Sequence, residues 1–223
     1  MVVTFPHQAL HQDTAFTLVG RSASGGVGLS GAMTRVASGS GHWKAQATFL
    51  IQGDDAHLAW LGFVSQMQGV LGETLLPAYP RILPVDIKGR TLSRKEAVGI
   101  DHRGLFDNTG LGQLDIKYAE LSSDATFRDG FINVKYNDTT GIRVGHKIGL
   151  GDRLHEVLST IDNGDGTHKV FVSPLLRSKY LAGERVIIDR PLCRVRFETD
   201  GEGIIPHNTT NAQSVTVNFR EVF

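Results

Sequence analysis

The sequence contains little cysteine, and neither sign of charge is in excess. Its single cysteine, Cys193, cannot form an internal disulfide, so the fold does not depend on an oxidising compartment. Lys and Arg together number 23, as do Asp and Glu, whereas a protein that binds a phosphate backbone usually has a basic excess. The charge balance therefore argues against specific nucleic-acid binding as the main role.

Long apolar runs are also missing. No stretch approaches the ~20 apolar residues that a membrane-spanning helix needs, and Met1–His7 lack the basic start and apolar run of a signal peptide. We therefore expect no membrane partner, and we expect the chain to be made and folded in a cytoplasm.

The first part of the chain predicts strands. Residues 14–20 are typical of a strand that ends at Gly20, and the Gly/Ser-rich residues 21–31 predict an exposed loop. Residues 42–52 alternate between apolar and polar, which indicates a half-buried strand. The side chains expected to point inward are Trp43, Ala45, Ala47 and Phe49.

One helix is predicted, over about 55–70. Asp54 or Asp55 is expected to cap its N-terminus, and Gly69 and Gly72 indicate where it ends. Apolar residues at helical spacing predict one buried face. They are Trp60, Phe63, Val64, Met67 and Leu71.

The rest of the chain predicts loops and then short strands. Residues 73–90 contain three prolines and do not predict a central strand, and residues 91–113 are expected to be mostly loop. The residues 162–167 predict a hairpin turn, because Asn-Gly and Asp-Gly tolerate positive φ. The predicted strands are 114–121, 131–136, 142–149, 153–161, 167–173, 184–189, 192–199 and 213–222.

These elements predict a mainly β protein. We expect a tube-like β-sandwich or barrel with one packed α-helix, plus a small C-terminal β-barrel-like part. The expected division is an N-terminal β part over 1–90, which contains the helix, and a β-rich part over 91–223; one continuous domain is the alternative. At 223 residues the chain is long enough to bury a core without disulfides or metals.

The motifs that could carry chemistry lack the context that the chemistry needs. Gly26–Gly31 matches GxGxxG but no βαβ unit follows it. The 162–167 turn has Gly164 where a calcium loop needs an oxygen ligand. His7 and His11 lack the glutamate of a metalloprotease helix.

The remaining reactive groups also have structural explanations. Alternation places Cys193 inward beside Val195 and Phe197, which predicts an inert core thiol. Acidic pairs such as Asp54–Asp55 are expected in any chain with this many carboxylates. We therefore predict no catalytic residues, no cofactor site and no metal site, and we expect the chain not to be an enzyme.

Two stretches together resemble a known family. The first runs from Gly41-His42-Trp43 through Phe49 and Asp54-Asp55 to Trp60-x-x-Phe63 and Gly69. The second comprises Gly151–Val157, the 162–167 turn, Val170–Arg177 and the closing Phe219-Arg220-Glu221. They resemble the small distal tail or tail-tip proteins of long-tailed, non-contractile bacteriophages. Lys44 stands where arginine would be expected, and 73–130 is the part least alike.

The resemblance implies a structural protein of the virion tail, assembled in the host cytoplasm. It implies a homo-oligomeric ring, with a hexamer favoured, that joins the tail tube protein to the hub or baseplate proteins. It leaves open the ring order, the position in the tail tip and whether the channel contacts DNA.

Two alternatives belong to other classes. A carbohydrate-binding β-sandwich for host recognition would need exposed aromatic residues over a polar groove, and Tyr118 and Tyr136 are the residues to test. A tail-borne peptidoglycan hydrolase would need an acid/base pair or a metal cluster in a cleft.

Overall fold

The fold comes from a computed structural model. It describes residues 2–20, 22–27, 31, 33–37, 41–79, 82, 104–105, 113–114, 119–137, 139–205 and 212–223.

The described residues are mostly β, with one α-helix, as the sequence predicts. The helix, α1, is Asp54–Met67, and a 3₁₀ turn follows at Gly69–Leu71. The strands before Pro80 are β1 Val2–Val3, β2 Leu10–Val19, β3 Ser22–Val27, β4 Met33–Ala37, β5 His42–Gln52 and β6 Glu73–Pro77. The later strands are β7 Gly104–Leu105, β8 Gln113–Leu114, β9 Ala119–Leu121, β10 Phe131–Tyr136, β11 Lys147–Leu150, β12 Arg153–Asp162, β13 Thr167–Ser173, β14 Val186–Ile187, β15 Leu192–Phe197 and β16 Ala212–Glu221.

The chain forms two compact units. Unit 1 comprises Met1–Ala78, Asp152–Leu154 and Leu192–Phe223, and unit 2 comprises Tyr79–Gly151 and His155–Pro191. This division differs from the expected parts over 1–90 and 91–223. The reason is that β15 and β16 return to pair with strands from the start of the chain.

Unit 1 contains a six-stranded sheet in the order β1-β6-β15-β16-β5-β2. Strand β5 lies between β2 and β16 and pairs antiparallel with both. Its inward residues Trp43, Ala45, Ala47 and Phe49 are buried, as their alternation predicts. The same alternation buries Val215, Val217 and Phe219 on β16.

Helix α1 covers the core of unit 1 with Trp60, Phe63 and Met67, all buried. Trp60 stacks near Phe49, with ring centroids 5.3 Å apart, and its Nε1–H donates to the Gly203 carbonyl at 2.8 Å. A buried indole with a satisfied N–H is a stable core element.

Two predicted features of the helix are wrong. Gly53 occupies the N-cap position without a side-chain cap bond, so neither Asp54 nor Asp55 caps the helix. Their charges instead lie in the first turn, where they interact favourably with the helix dipole. Leu71 is 77% exposed, because the helix ends at Met67 and the left-handed Gln68 redirects the chain.

Two further predictions about unit 1 are wrong. Residues 22–27 are strand rather than loop and pair with β4 as a hairpin, since glycine and serine residues do not prevent backbone pairing. Strand β6 is flanked by strands on both sides, although the prolines argued against that. Pro77 lies beyond the part of β6 that β1 pairs with, so it occupies an edge position, where proline is tolerated.

Unit 2 is a nearly closed barrel-like sheet in the order β14-β11-β12-β13-β10-β9. Its two end strands approach each other at a bridge between Glu120 and Arg185. The Leu121 N–H donates to the Glu184 carbonyl at 2.9 Å, which adds to the closure. The core is aliphatic, with Val134, Leu150 and Val170 among its fully buried residues.

The hairpin between β12 and β13 turns at 162–167, as predicted. Gly164 and Gly166 have φ of 79° and 82°, values that glycine adopts without strain. The Asp162 and Asp165 carboxylates accept the Gly164 and Thr167 N–H groups at 2.8 and 2.9 Å. The bonds from Thr167 hold the pKa of Asp165 below its usual value.

Candidate assembly interface

The outer edge of β2 is the most distinctive surface of unit 1. In the part of the chain that the structure describes, β2 pairs only with β5, from Leu10 opposite Leu50 to Val19 opposite His42. In an antiparallel pair, about half of the backbone N–H and C=O groups of an edge strand point away from its partner. The outer edge therefore presents donors and acceptors that no described strand pairs, most regularly over Thr14 to Val19.

Edge strands are usually protected against pairing by lysine, proline or covering segments. Strand β2 contains neither lysine nor proline, and Asp13 is its one carboxylate. A bulge between His11 and Asp13 interrupts the register near its start. From Thr14 to Val19 the register is regular, so this stretch is the part best suited to accept another strand.

One face of β2 fixes the strand to its own sheet. Phe16 and Leu18 are partly buried and pack against the core of unit 1. The Phe16 ring meets the Trp43 ring edge-on, with centroids 6.1 Å apart. The opposite face presents Ala15 and Thr17, which are exposed. Strand β2 is thus anchored through one face, while Ala15 and Thr17 on its other face are exposed.

The other end of the same sheet is short. Strand β1 pairs with β6 only at Glu73 and Thr74. The Thr74 hydroxyl donates to the Val3 carbonyl at 2.9 Å and holds β1 in place. Residues 75–77 of β6 have no strand on this side within the described residues. Unit 1 consequently has two unlike sheet edges, which is the geometry that a head-to-tail contact between copies requires.

A buried polar network connects the start of β5, the start of β12 and the C-terminal end of β16. The Glu221 carboxylate, 1% exposed, accepts the Trp43 backbone N–H at 2.9 Å. The Trp43 Nε1–H donates to the Leu154 carbonyl at 2.7 Å. Arg153 donates to the Val222 carbonyl. These bonds fix the C-terminal strand and are structural in character.

Carboxylates beside this network pair with arginine. Arg194 lies 2.5 Å from the Asp152 carboxylate and 3.5 Å from that of Glu73. Each of these two carboxylates thus lies within ion-pair distance of the same arginine on β15. The geometry therefore explains these acids without a catalytic role.

Cys193 is fully buried beside this network, as the alternation of β15 predicts. Burial raises the pKa of the thiol well above its usual value, and the charge of Glu221 raises the pKa further. A nucleophilic cysteine needs the thiolate and access to solvent. The environment of Cys193 opposes both.

The histidines considered as ligands lie apart. His7 is in an exposed turn, whereas His11 is in β2 and hydrogen-bonds with Thr14. The His155 Nδ1 is 2.9 Å from the Pro174 carbonyl in unit 2. Among the described residues, no three His, Cys, Asp or Glu side chains come close enough to hold a metal ion.

The other sequence motifs have structural positions or lie outside the described residues. Gly26 belongs to β3 and Gly31 follows that strand, whereas 28–30 are outside the described part. Tyr118 is also outside it. Tyr136 is half-buried against the His168 ring at 4.6 Å, and burial raises the pKa of its hydroxyl. Trp43 and Trp60 are buried, so neither provides an exposed stacking surface for a sugar.

Sequence reasoning missed the edge of β2. The alternation of residues 14–20 identified a strand, but neighbours within a sheet depend on pairings between distant residues. Leu10 also begins the strand earlier than predicted, because the polar residues His11, Gln12 and Asp13 hide the alternation. No local signal distinguishes an edge strand from a central one here.

No protein-family profile matches the chain, and no match to it was found among curated proteins. Within the described residues, no helix combines the length and apolar character needed to cross a lipid bilayer.

Proposed function

We propose that the chain is a structural subunit of a bacteriophage tail. It acts as a distal tail or tail-tip protein whose copies form a ring, with a hexamer favoured, between the tail tube and the hub or baseplate. The observation that carries the proposal is the long outer edge of β2 in an open sheet. The proposal further rests on the resemblance of residues 41–69, 151–177 and 219–221 to such proteins.

The edges of unit 1 support a ring rather than an isolated pair. Two copies that joined β2 to β2 would form a closed dimer and leave the β6 edge unused. A contact between β2 of one copy and the β6 edge of the next joins two unlike surfaces, and repetition of that contact generates a ring if the rotation closes. The backbone groups of β2 then gain partners, as strand addition provides in other complexes.

The chemistry of the described residues fits a structural role. In unit 1, Asp152 and Glu73 pair with Arg194, the thiol is buried, and the largest aromatic residues fill the core. The proposed partners are other copies of the chain, the tail tube protein and the hub or baseplate proteins. The proposed location is the virion tail, with assembly in the host cytoplasm.

The first experiment tests the ring. Analytical ultracentrifugation and negative-stain electron microscopy of the purified chain should show a closed oligomer. The double variant Ala15→Lys with Thr17→Lys adds two charges to the exposed face of β2 without altering the core, and lysine on an edge opposes pairing. We expect this variant to remain folded and monomeric.

A matched control is available on the neighbouring strand. Gln46 lies opposite Ala15 on β5, which has paired strands on both sides. Gln46→Lys should therefore keep the oligomer. Monomers of the unaltered chain in both measurements, or rings that persist in the β2 double variant, would contradict the proposal.

A second experiment tests the location. Antibodies against the purified chain, followed by gold labelling, should mark the distal end of the tail on virions whose genome encodes it. Label on the capsid, or none on intact and on partly disassembled virions, would argue against a tail-tip role even if the protein forms rings.

A further inference from the structure

A cavity of about 500 Å³ lies on unit 2 and has no role in the proposed assembly. Its volume falls within the ~300–1,000 Å³ typical of small-molecule sites. Residues distant in sequence form it, because Tyr79 and Ile82 meet the segment from Arg143 to Lys147. We propose that this cavity binds a small organic anion, in which a phosphate or carboxylate is attached to an apolar group.

The charge of the lining indicates an anion. The basic residues Arg143 and Lys147 line the cavity, and no carboxylate does so among the described residues. Arginine and lysine bind phosphate and carboxylate through charge-assisted hydrogen bonds. A cation or a neutral sugar would find no complementary charge in this set.

A second set of lining residues indicates the apolar part of the ligand. Ile82 and Val144 are 69% and 63% exposed, which is unusual for two apolar side chains at one cavity. Tyr79 adds an aromatic ring. The Arg190 guanidinium donates to the Tyr79 hydroxyl at 2.6 Å and lies 5.2 Å from the ring centroid, which fixes the ring.

The basic segment is held by its backbone. The His146 N–H donates to the Arg143 carbonyl at 3.1 Å and closes a turn in which Gly145 has φ of 85°. Gly145 donates to the Val157 carbonyl and His146 accepts from the Val157 N–H, both at 2.9 Å. A turn held by a bond within it and by two bonds to the neighbouring strand is pre-organised, so binding costs little ordering entropy.

The imidazole of His146 provides a further indication. The Arg143 N–H donates to His146 Nδ1 at 3.1 Å, which leaves the proton of the neutral ring on Nε2. Burial lowers the pKa of this histidine, and the charge of Arg143 lowers the pKa further. The imidazole is therefore neutral at pH 7 and remains a hydrogen-bond donor.

The experiment uses phenyl phosphate, benzoate, inorganic phosphate and uncharged p-cresol as probes of the full chain. We expect saturable calorimetric binding of phenyl phosphate or benzoate that moves the amide NMR resonances of Gly145 and His146. Inorganic phosphate should bind more weakly because it lacks the apolar group, and p-cresol should not bind. The two anionic aromatic probes distinguish a phosphate ligand from a carboxylate ligand.

Two variants with the same charge change locate the site. Arg143→Gln should weaken binding about tenfold or more, since it removes a charge-assisted bond. Lys179→Gln is the control, because Lys179 lies elsewhere on unit 2 and pairs with Asp124 at 3.5 Å. It should bind like the unaltered chain.

Three results would overturn the proposal. They are no saturable binding of either aromatic anion at millimolar concentration, equal binding by Arg143→Gln, and equal weakening by Lys179→Gln. The last result would indicate non-specific attraction to positive charge. Since the cavity is in unit 2 and the ring contact is in unit 1, either proposal can fail without the other.

Discussion

The sheets of the two units differ in how many of their backbone groups they pair internally. In unit 2 the end strands meet at the Glu120–Arg185 bridge, so the sheet nearly closes on itself. In unit 1 the sheet is open, and the outer side of β2 has no partner strand among the residues described. A closed sheet satisfies its own backbone groups, whereas an open one leaves them for solvent or a neighbour. The proposed contact between copies is therefore expected in unit 1 rather than in unit 2.

The cores differ as well. Unit 1 is built around contacting aromatic rings, among them Phe49, Trp60 and Phe63, whereas unit 2 contains mainly Ile, Leu and Val. Both tryptophans of the chain lie in unit 1, and all four tyrosines fall in the ranges of unit 2. Tryptophan fluorescence therefore reports on unit 1, and tyrosine absorbance reports mainly on unit 2.

The largest expected effect is that of Trp60→Ala in unit 1. The substitution removes a fully buried indole that contacts three phenylalanine rings and donates to the Gly203 carbonyl. We expect the free energy of unfolding to fall by about 3–5 kcal/mol. Urea unfolding followed by Trp43 fluorescence measures it.

The control for that variant lies on the same helix. Leu58 is 68% exposed, so Leu58→Ala should change stability by less than about 0.5 kcal/mol. If the two variants had similar effects, the packing of α1 described for unit 1 would be wrong.

Leu150→Ala is the corresponding test of unit 2. Leu150 is 1% exposed in the aliphatic core, and its carbonyl accepts the Tyr180 hydroxyl at 3.3 Å. Loss of a buried leucine side chain should cost about 2–4 kcal/mol. We expect the tyrosine-detected transition to shift most. An equal shift of the tryptophan signal would mean that the units unfold together and that the contrast between them has no thermodynamic counterpart.

Because of Cys193, the free energy of unfolding of unit 1 should decrease at alkaline pH. The pKa of the thiol is raised in the folded state by burial and by the charge of Glu221, so the folded thiol keeps its proton while the unfolded thiol ionises above about pH 8.5. The unfolded state then binds fewer protons, and stability decreases as pH rises, by up to about 1.4 kcal/mol per pH unit. Urea unfolding by tryptophan fluorescence between pH 8 and 10 measures the slope.

Cys193→Ala isolates this contribution, because other groups also titrate in that range. The variant should have a lower stability at pH 7 and a shallower decrease above pH 8.5. Equal slopes would show that the thiol is accessible in the folded state, and rapid labelling of the native protein by a thiol reagent would show the same.

Local patterns predicted the strands well where alternation is clear. β10 and β13 have the predicted bounds of 131–136 and 167–173, and β5 spans the predicted 42–52. In these strands, residues two positions apart lie on the same face of the sheet, so the sequence pattern predicts which side chains are buried. The hairpin turn at 162–167 likewise depends on local φ preferences.

Features that depend on distant residues were not predictable in this way. The return of β15 and β16 to unit 1 depends on pairings such as Phe219 with Ala45. The cavity brings Tyr79 to Arg143, and neither residue belongs to a motif. That β2 is an edge strand among the described residues is a property of the whole sheet. Both the proposed interface and the proposed anion site could therefore be identified only from the fold.

The smallest expected effects come from one residue in each unit. Among the described residues, Gln68 in unit 1 and Arg128 in unit 2 are the non-glycine positions with positive φ, at 47° and 70°. A left-handed backbone costs a residue with a Cβ about 1–2 kcal/mol. Glycine relieves that cost but loses more entropy on folding, about 0.5–1 kcal/mol. Each substitution to glycine should therefore stabilise its unit by up to about 1 kcal/mol, which urea unfolding can measure.

The two variants test whether the left-handed backbone has the same effect on stability in both units. Gln68 ends α1, and its N–H donates to the Ser65 carbonyl, so a change to glycine keeps the helix cap. Arg128 also donates its N–H, to the Leu176 carbonyl, but its guanidinium lies 5.3 Å from the centroid of the exposed Phe127 ring. If Gln68→Gly stabilises unit 1 and Arg128→Gly fails to stabilise unit 2, the arginine side chain contributes about as much as the strain costs. Equal gains would show that the backbone alone accounts for both.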